Sequence, residues 1–156
     1  MRNTIRFFAL AAGLALAGCS TYQRRWEAAR DAVHPGRNSF SGAYVGTWES
    51  TRRPGTGGKL WCILEPECVG DYHASFKATW HGVFRSEHVA MLKTLEPARG
   101  GTASFSGNAT LHTPIGSGAY TCKGELRPEG ISAVYDATYD QGKFILNRAV
   151  GTRKTE

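Results

Sequence analysis

From residue 43 to residue 150 the chain alternates apolar or small side chains with polar ones, at a period of two. Tyr72, Ala74, Phe76, Ala78, Trp80, Gly82 and Phe84 fall on one face, and His73, Ser75, Lys77, Thr79 and His81 on the other. Ala103, Phe105, Gly107, Ala109 and Leu111 repeat the pattern, as do Ile131, Ala133, Tyr135, Ala137 and Tyr139. Successive side chains of a strand point to opposite faces, so this alternation marks half-buried antiparallel strands and leaves no room for a helical period. Glycine and proline punctuate the runs at Arg53-Pro54-Gly55, Glu65-Pro66, Pro97 to Gly101, Pro114 to Gly118, Pro128 to Gly130 and Gln141-Gly142. The pattern predicts eight strands, at 43–52, 58–64, 70–84, 87–95, 102–112, 118–127, 130–139 and 142–150. Every connection is short, so sequence neighbours pair in space. A long meander with two bare edges is relieved by closure. The expected fold is all-β: an eight-stranded antiparallel up-and-down meander closed into a barrel, with a flattened two-layer β-sandwich as the alternative.

The first eighteen residues have another character. Arg2 and Arg6 precede an apolar run from Phe7 to Ala17, the layout of an export signal. The run is too short to span a bilayer, which takes roughly 20 apolar residues. Leu16-Ala17-Gly18-Cys19 resembles the lipobox of bacterial lipoprotein precursors. That resemblance implies a signal peptide over 1–18, removed before Cys19, with a diacylglycerol on the Cys19 thiol and an acyl chain, typically palmitate, on the new amine. Two or more buried chains anchor a protein stably where one does not. Ser20 follows the cysteine, where aspartate would imply inner-membrane retention, so the expected address is the outer membrane facing the periplasm.

With Cys19 assigned to lipid, three cysteines remain, Cys62, Cys68 and Cys122. An oxidising compartment predicts one disulfide among them. Cys62 and Cys68 flank an expected turn at residues 63–67, which favours their pairing, although Cys122 stays open as a partner for either. No Cys-x-x-Cys, His-x-His or Glu-x-x-His spacing is present, and neither a metal nor a cofactor is expected. The chain carries a formal charge of +6; without Arg2 and Arg6, 17 basic residues face 13 acidic ones. This modest basic excess suits anionic lipid or glycan, and nothing resembles a nucleic-acid recognition element. Residues 19–42 read as the lipidated N-terminus and a tether. Residues 24–33 suit a short helix ending at Pro35-Gly36, either a solvated spacer or a segment laid on lipid with Trp26 at the interface. The domain follows over 43–150, with a tail at 151–156.

Gly46-Thr47-Trp48 lies early in the first strand and Arg148 late in the last. In this pairing the chain is similar to the calycins, the lipocalin and avidin group of β-barrels, in which a Gly-x-Trp packs beside a basic residue to close the barrel base. The resemblance implies that Gly46, Trp48 and Arg148 meet. The lipocalin Thr-Asp-Tyr appears here in altered order, as Thr138-Tyr139-Asp140.

The inward face mixes aromatic and small residues. It would either enclose an apolar ligand lined by Tyr72, Phe76, Trp80, Phe105, Ala109, Tyr120 and Tyr135, or fill completely as small residues make room for rings. Gly55-Thr56-Gly57-Gly58-Lys59 lacks phosphate-loop spacing and reads as a hairpin turn. His73, His81, His88 and His112 read as surface histidines. No Gly-x-Ser-x-Gly elbow or carboxylate pair is apparent, so no catalytic residues are assigned and an enzyme is not expected. The expected function is a non-enzymatic envelope lipoprotein holding a small apolar or amphipathic molecule. The alternative is a packed module that binds an envelope protein. Tyr120-Thr121-Cys122 resembles lysozyme-inhibitor lipoproteins of that second kind, although a basic chain suits cationic lysozyme poorly.

Overall fold

The computed structural model describes residues 21–32, 40–82, 84–95, 101–113 and 116–151. The signal segment 1–18, Cys19, most of the tail and part of the tether lie outside the described residues. Eight strands follow in order: β1 (Gly42–Ser50), β2 (Gly57–Cys68), β3 (Asp71–Trp80), β4 (Phe84–Thr94), β5 (Ala103–Thr113), β6 (Gly116–Arg127), β7 (Gly130–Ala137) and β8 (Asp140–Arg148). Each pairs antiparallel with its sequence neighbours, and β1 pairs with β8 to close the barrel. The barrel is therefore realised in place of the two-layer sandwich. Inward residues follow the expected parity: Tyr44, Phe76, Phe105 and Phe144 are almost wholly buried.

Two turns fall elsewhere than expected. Residues 63–67 continue β2, and the turn comes at Val69-Gly70, where Gly70 takes a φ of +84°. Leu64 faces inward and Ile63 is buried on the outer wall, so both faces of this stretch are covered. β1 pairs with β2 only as far as Leu64, so Pro66 sits where no ladder donor is needed. The β3–β4 turn lies at His81-Gly82, whose φ angles of +50° and +69° end β3 before the expected boundary at residue 84. Phe84 instead opens β4, its ring stacked on Trp80 at 5.8 Å.

A helix, α1 (21–31), lies against the outer wall. Tyr22 and Trp26, four residues apart on one helical face, are buried against Ala43 and Ile63. The Trp26 indole donates to the Tyr44 carbonyl at 3.1 Å and the Tyr22 hydroxyl to the Ser75 carbonyl at 2.9 Å. Lys77 is buried beneath the helix with its ammonium 5.3 Å from the Tyr22 ring centre. The segment is thus neither a solvated spacer nor a lipid-facing one with an interfacial Trp26; outward apolar residues of β1 and β2 supply a better surface for its rings.

One end of the barrel is filled. Arg148 donates to the Ser41 carbonyl at 2.8 Å, to the Tyr44 hydroxyl at 2.8 Å and to the Pro128 carbonyl, and its guanidinium lies 5.1 Å from the Tyr44 ring centre. Phe40 is buried over the same end, edge-on to Tyr72. The expected meeting of Trp48 with Arg148 does not occur. The β1–β8 register pairs Arg148 with Tyr44 and Trp48 with Phe144. Four residues of strand, roughly 13 Å, therefore separate the two.

Candidate functional site: a hollow at one end of the barrel

The opposite end is hollow. It is rimmed by the β1–β2, β3–β4 and β7–β8 turns and encloses a cavity of about 390 Å³. Trp48, Leu60, Trp80, Tyr120, Tyr135 and Phe144 supply much of its wall. The Trp48 indole donates to the Thr79 carbonyl at 3.1 Å and meets Trp80 and Tyr135 edge-on, both at 6.5 Å. That reach depends on Gly58, where an added Cβ would stand 1.6 Å from the Thr79 oxygen and 3.2 Å from the indole nitrogen. Tyr120 and Tyr135 stack at 5.9 Å with 21° between their planes.

Charge is confined to the mouth. Asp140 has only 15% of its side chain exposed; its guanidinium neighbour Arg53 stands at 3.7 Å. It accepts hydrogen bonds from Ser50 at 2.6 Å and Tyr135 at 2.8 Å. Burial and the neighbouring carboxylate both push the Tyr135 phenol above its ordinary range.

The floor holds His88, half-buried rather than outward, and without a hydrogen bond among the described residues. It shares inward parity with Ala90 and Leu92 on β4 and pairs in register with Phe76. Phe76 stacks on the imidazole at 5.2 Å and Tyr120 leans on it at 5.2 Å. Both ring nitrogens are shielded and have no hydrogen-bond partner among the described residues. Desolvation pushes the imidazole down to about 4, so it is neutral at neutral pH. Its position was legible from the alternation of 88, 90 and 92, but the polar neighbours Ser86 and Glu87 blur that short run.

Of the seven expected lining residues, the structure brings Trp80, Tyr120 and Tyr135 to the cavity. Phe76 and Phe105 are buried in the packed part of the core, and Tyr72 sits at the closed end against Phe40. Ala109 packs on the core and borders a shallow outer depression of about 410 Å³ with His73, Val89 and Thr110. Tyr139 leaves the strand pattern and is 48% exposed in the β7–β8 turn, at the cavity mouth. His73 and His112 are outward, His73 2.9 Å from Glu67 and His112 2.7 Å from Ser117, whereas His81 borders the cavity mouth at the β3–β4 turn.

The wall has a seam beside His88. β4 and β5 pair in register only from Met91–Thr94 to Asn108–Phe105. Among the described residues, β4 from Phe84 to Ala90 is in register with β3 and not with β5.

All three described thiols are free. Cys62 and Cys68 stand six residues apart on one strand, about 20 Å, whereas a disulfide spans at most about 7 Å between α-carbons. The favoured pairing is therefore excluded by the extension of β2. Cys62 and Cys122 both point into the core; burial pushes the Cys122 thiol up to about 11 and raises Cys62 further. Cys68 is exposed at the strand end. Among the described residues no cluster of His, Cys, Asp and Glu has the makings of a metal site.

Comparison with family models, with curated proteins and with solved structures finds no match to this chain.

Proposed function

We propose that the chain is a lipid-anchored envelope protein of calycin-like build, without catalytic activity, whose barrel holds a small apolar or amphipathic molecule. The observation that carries this reading is the asymmetry of the interior. One end is packed and plugged by Phe40, Tyr44 and Arg148, whereas the other keeps a cavity of about 390 Å³ walled by rings. A cavity of that size falls within the range of roughly 300–1,000 Å³ typical of small-molecule sites. The packed half by itself would suit the rival reading, an interaction module with a filled core; the hollow half favours a carrier. Membrane attachment rests on the lipobox-like residues Leu16 to Cys19. Only Ser20 separates Cys19 from α1, so an anchor there would hold the docked helix and barrel close to the bilayer, facing the periplasm from the outer membrane.

The test is fluorescence titration with N-phenyl-1-naphthylamine. It uses the chain from residue 19 on with Cys19→Ser, which keeps every described residue, beside the same protein carrying Ala78→Phe. Ala78 borders the cavity, and a ring there would occupy it. Saturable binding lost in the variant is the expected result. Absence of saturable binding by the unfilled protein would refute the carrier reading.

A further inference from the structure

His88 is out of keeping with its surroundings. It borders an apolar cavity, between Phe76 and Tyr120, where a phenylalanine would stack equally well and leave no nitrogen unpaired. Unpaired buried donors and acceptors are costly, so each calls for a partner. No described protein group supplies one. A neutral imidazole offers a donor and an acceptor on opposite ring edges, and a hydroxyl can pair with whichever nitrogen it reaches, by accepting from the one or donating to the other. A carboxylate suits the floor poorly. The fixed charges on the cavity wall are Arg53 and Asp140, which face each other at the mouth. An anion brought to His88 would thus be desolvated without a counter-charge.

We propose that the ligand is an uncharged amphiphile bearing a hydroxyl, that the His88 imidazole receives this hydroxyl at the cavity floor, and that the apolar body lies against the aromatic wall. The seam between β4 and β5 flanks His88, where the upper part of β4 lacks a ladder to β5 and repacking to admit the group breaks no backbone pairing there. This inference rests on the carrier reading and narrows it to a ligand class.

The experiment compares 1-decanol with decanoate at pH 7.5, using the protein from residue 19 on with Cys19→Ser and its His88→Phe variant. Binding is read from the fluorescence of Trp48 and Trp80 on the cavity wall and from the imidazole ¹⁵N shifts of His88. Decanol should saturate, decanoate should bind at least about tenfold more weakly, and His88→Phe should weaken decanol about tenfold. Binding of N-phenyl-1-naphthylamine, which has no hydroxyl, should weaken less than that of decanol in the variant. The His88 ¹⁵N shifts should move with decanol in the unsubstituted protein, a readout that stands even if the variant does not fold. Unmoved His88 shifts at decanol saturation, or equal affinity for decanoate, would overturn the hydroxyl assignment and leave the carrier reading intact. Failure of both decanol and the naphthylamine to bind would overturn the two together.

Discussion

Acidification should destabilise this barrel through His88 before the carboxylates contribute much. The imidazole titrates near 6.5 in an unfolded chain and is pushed down to about 4 in the fold by burial between Phe76 and Tyr120. Its folded value is the lower one, so the unfolded chain binds the proton first. The stability that a neutral His88 contributes is complete above pH 6.5 and is lost as pH falls toward 4. With those two values, moving from pH 8 to pH 5 costs roughly 2 kcal/mol, and the loss levels off near 3 kcal/mol below pH 4. The groups facing His88 are the Phe76 ring and the Tyr120 phenol, and burial raises the phenol well above its ordinary range, away from this window. Urea denaturation of the protein and of His88→Phe at pH 8, 7, 6 and 5 isolates the term. The other four histidines are present in both proteins and cancel in the difference. The unsubstituted protein should lose about 2 kcal/mol more than the variant between pH 8 and pH 5. Parallel losses would mean that the imidazole is solvated, and the burial argument would fall.

Trp26→Ala should cost roughly 3 kcal/mol in thermal or urea unfolding, since it removes a buried indole and its bond to the Tyr44 carbonyl; a loss below 1 kcal/mol would mean that α1 is not docked. In the folded protein from residue 19 on with Cys19→Ser, a thiol reagent should react promptly with the exposed Cys68 and reach buried Cys62 and Cys122 only on unfolding; three equally fast thiols would contradict the packing. Arg148→Met should destabilise the closed end by about 1–3 kcal/mol through lost bonds to Ser41, Pro128 and Tyr44, while ligand binding at the far end stays within a factor of two; a loss of binding would show that the two ends are coupled. Cys19→Ser in the full-length chain should leave an unprocessed precursor that fractionates without acyl-chain label; a normally cleaved, labelled product would refute lipidation at that residue.

The eight strands and their inward faces were legible because the pleat converts a period of two directly into burial, and short polar links leave neighbouring strands no partner but each other. Closure followed from the cost of two bare edges. What the chain does at each level of the barrel was not legible, because that depends on register, a relation between residues far apart in sequence. The register sets Arg148 beside Tyr44 and carries Trp48 to the open end, so the guanidinium plugs one end while the indole lines the other. It also sets His88 beside Phe76 beneath a cavity, although its own strand segment reads as polar. The same holds for turns and caps. Cys62 and Cys68 looked poised to pair across Pro66 until the extension of β2 set them at different heights. Residues 21–31 alone carry too few apolar positions to commit to a surface; the outward faces of Ala43 and Ile63 decide that Tyr22 and Trp26 pack on protein. Alternation is local and survives in sequence, but which side chains share a layer, and whether that layer is filled, emerges only when the sheet closes.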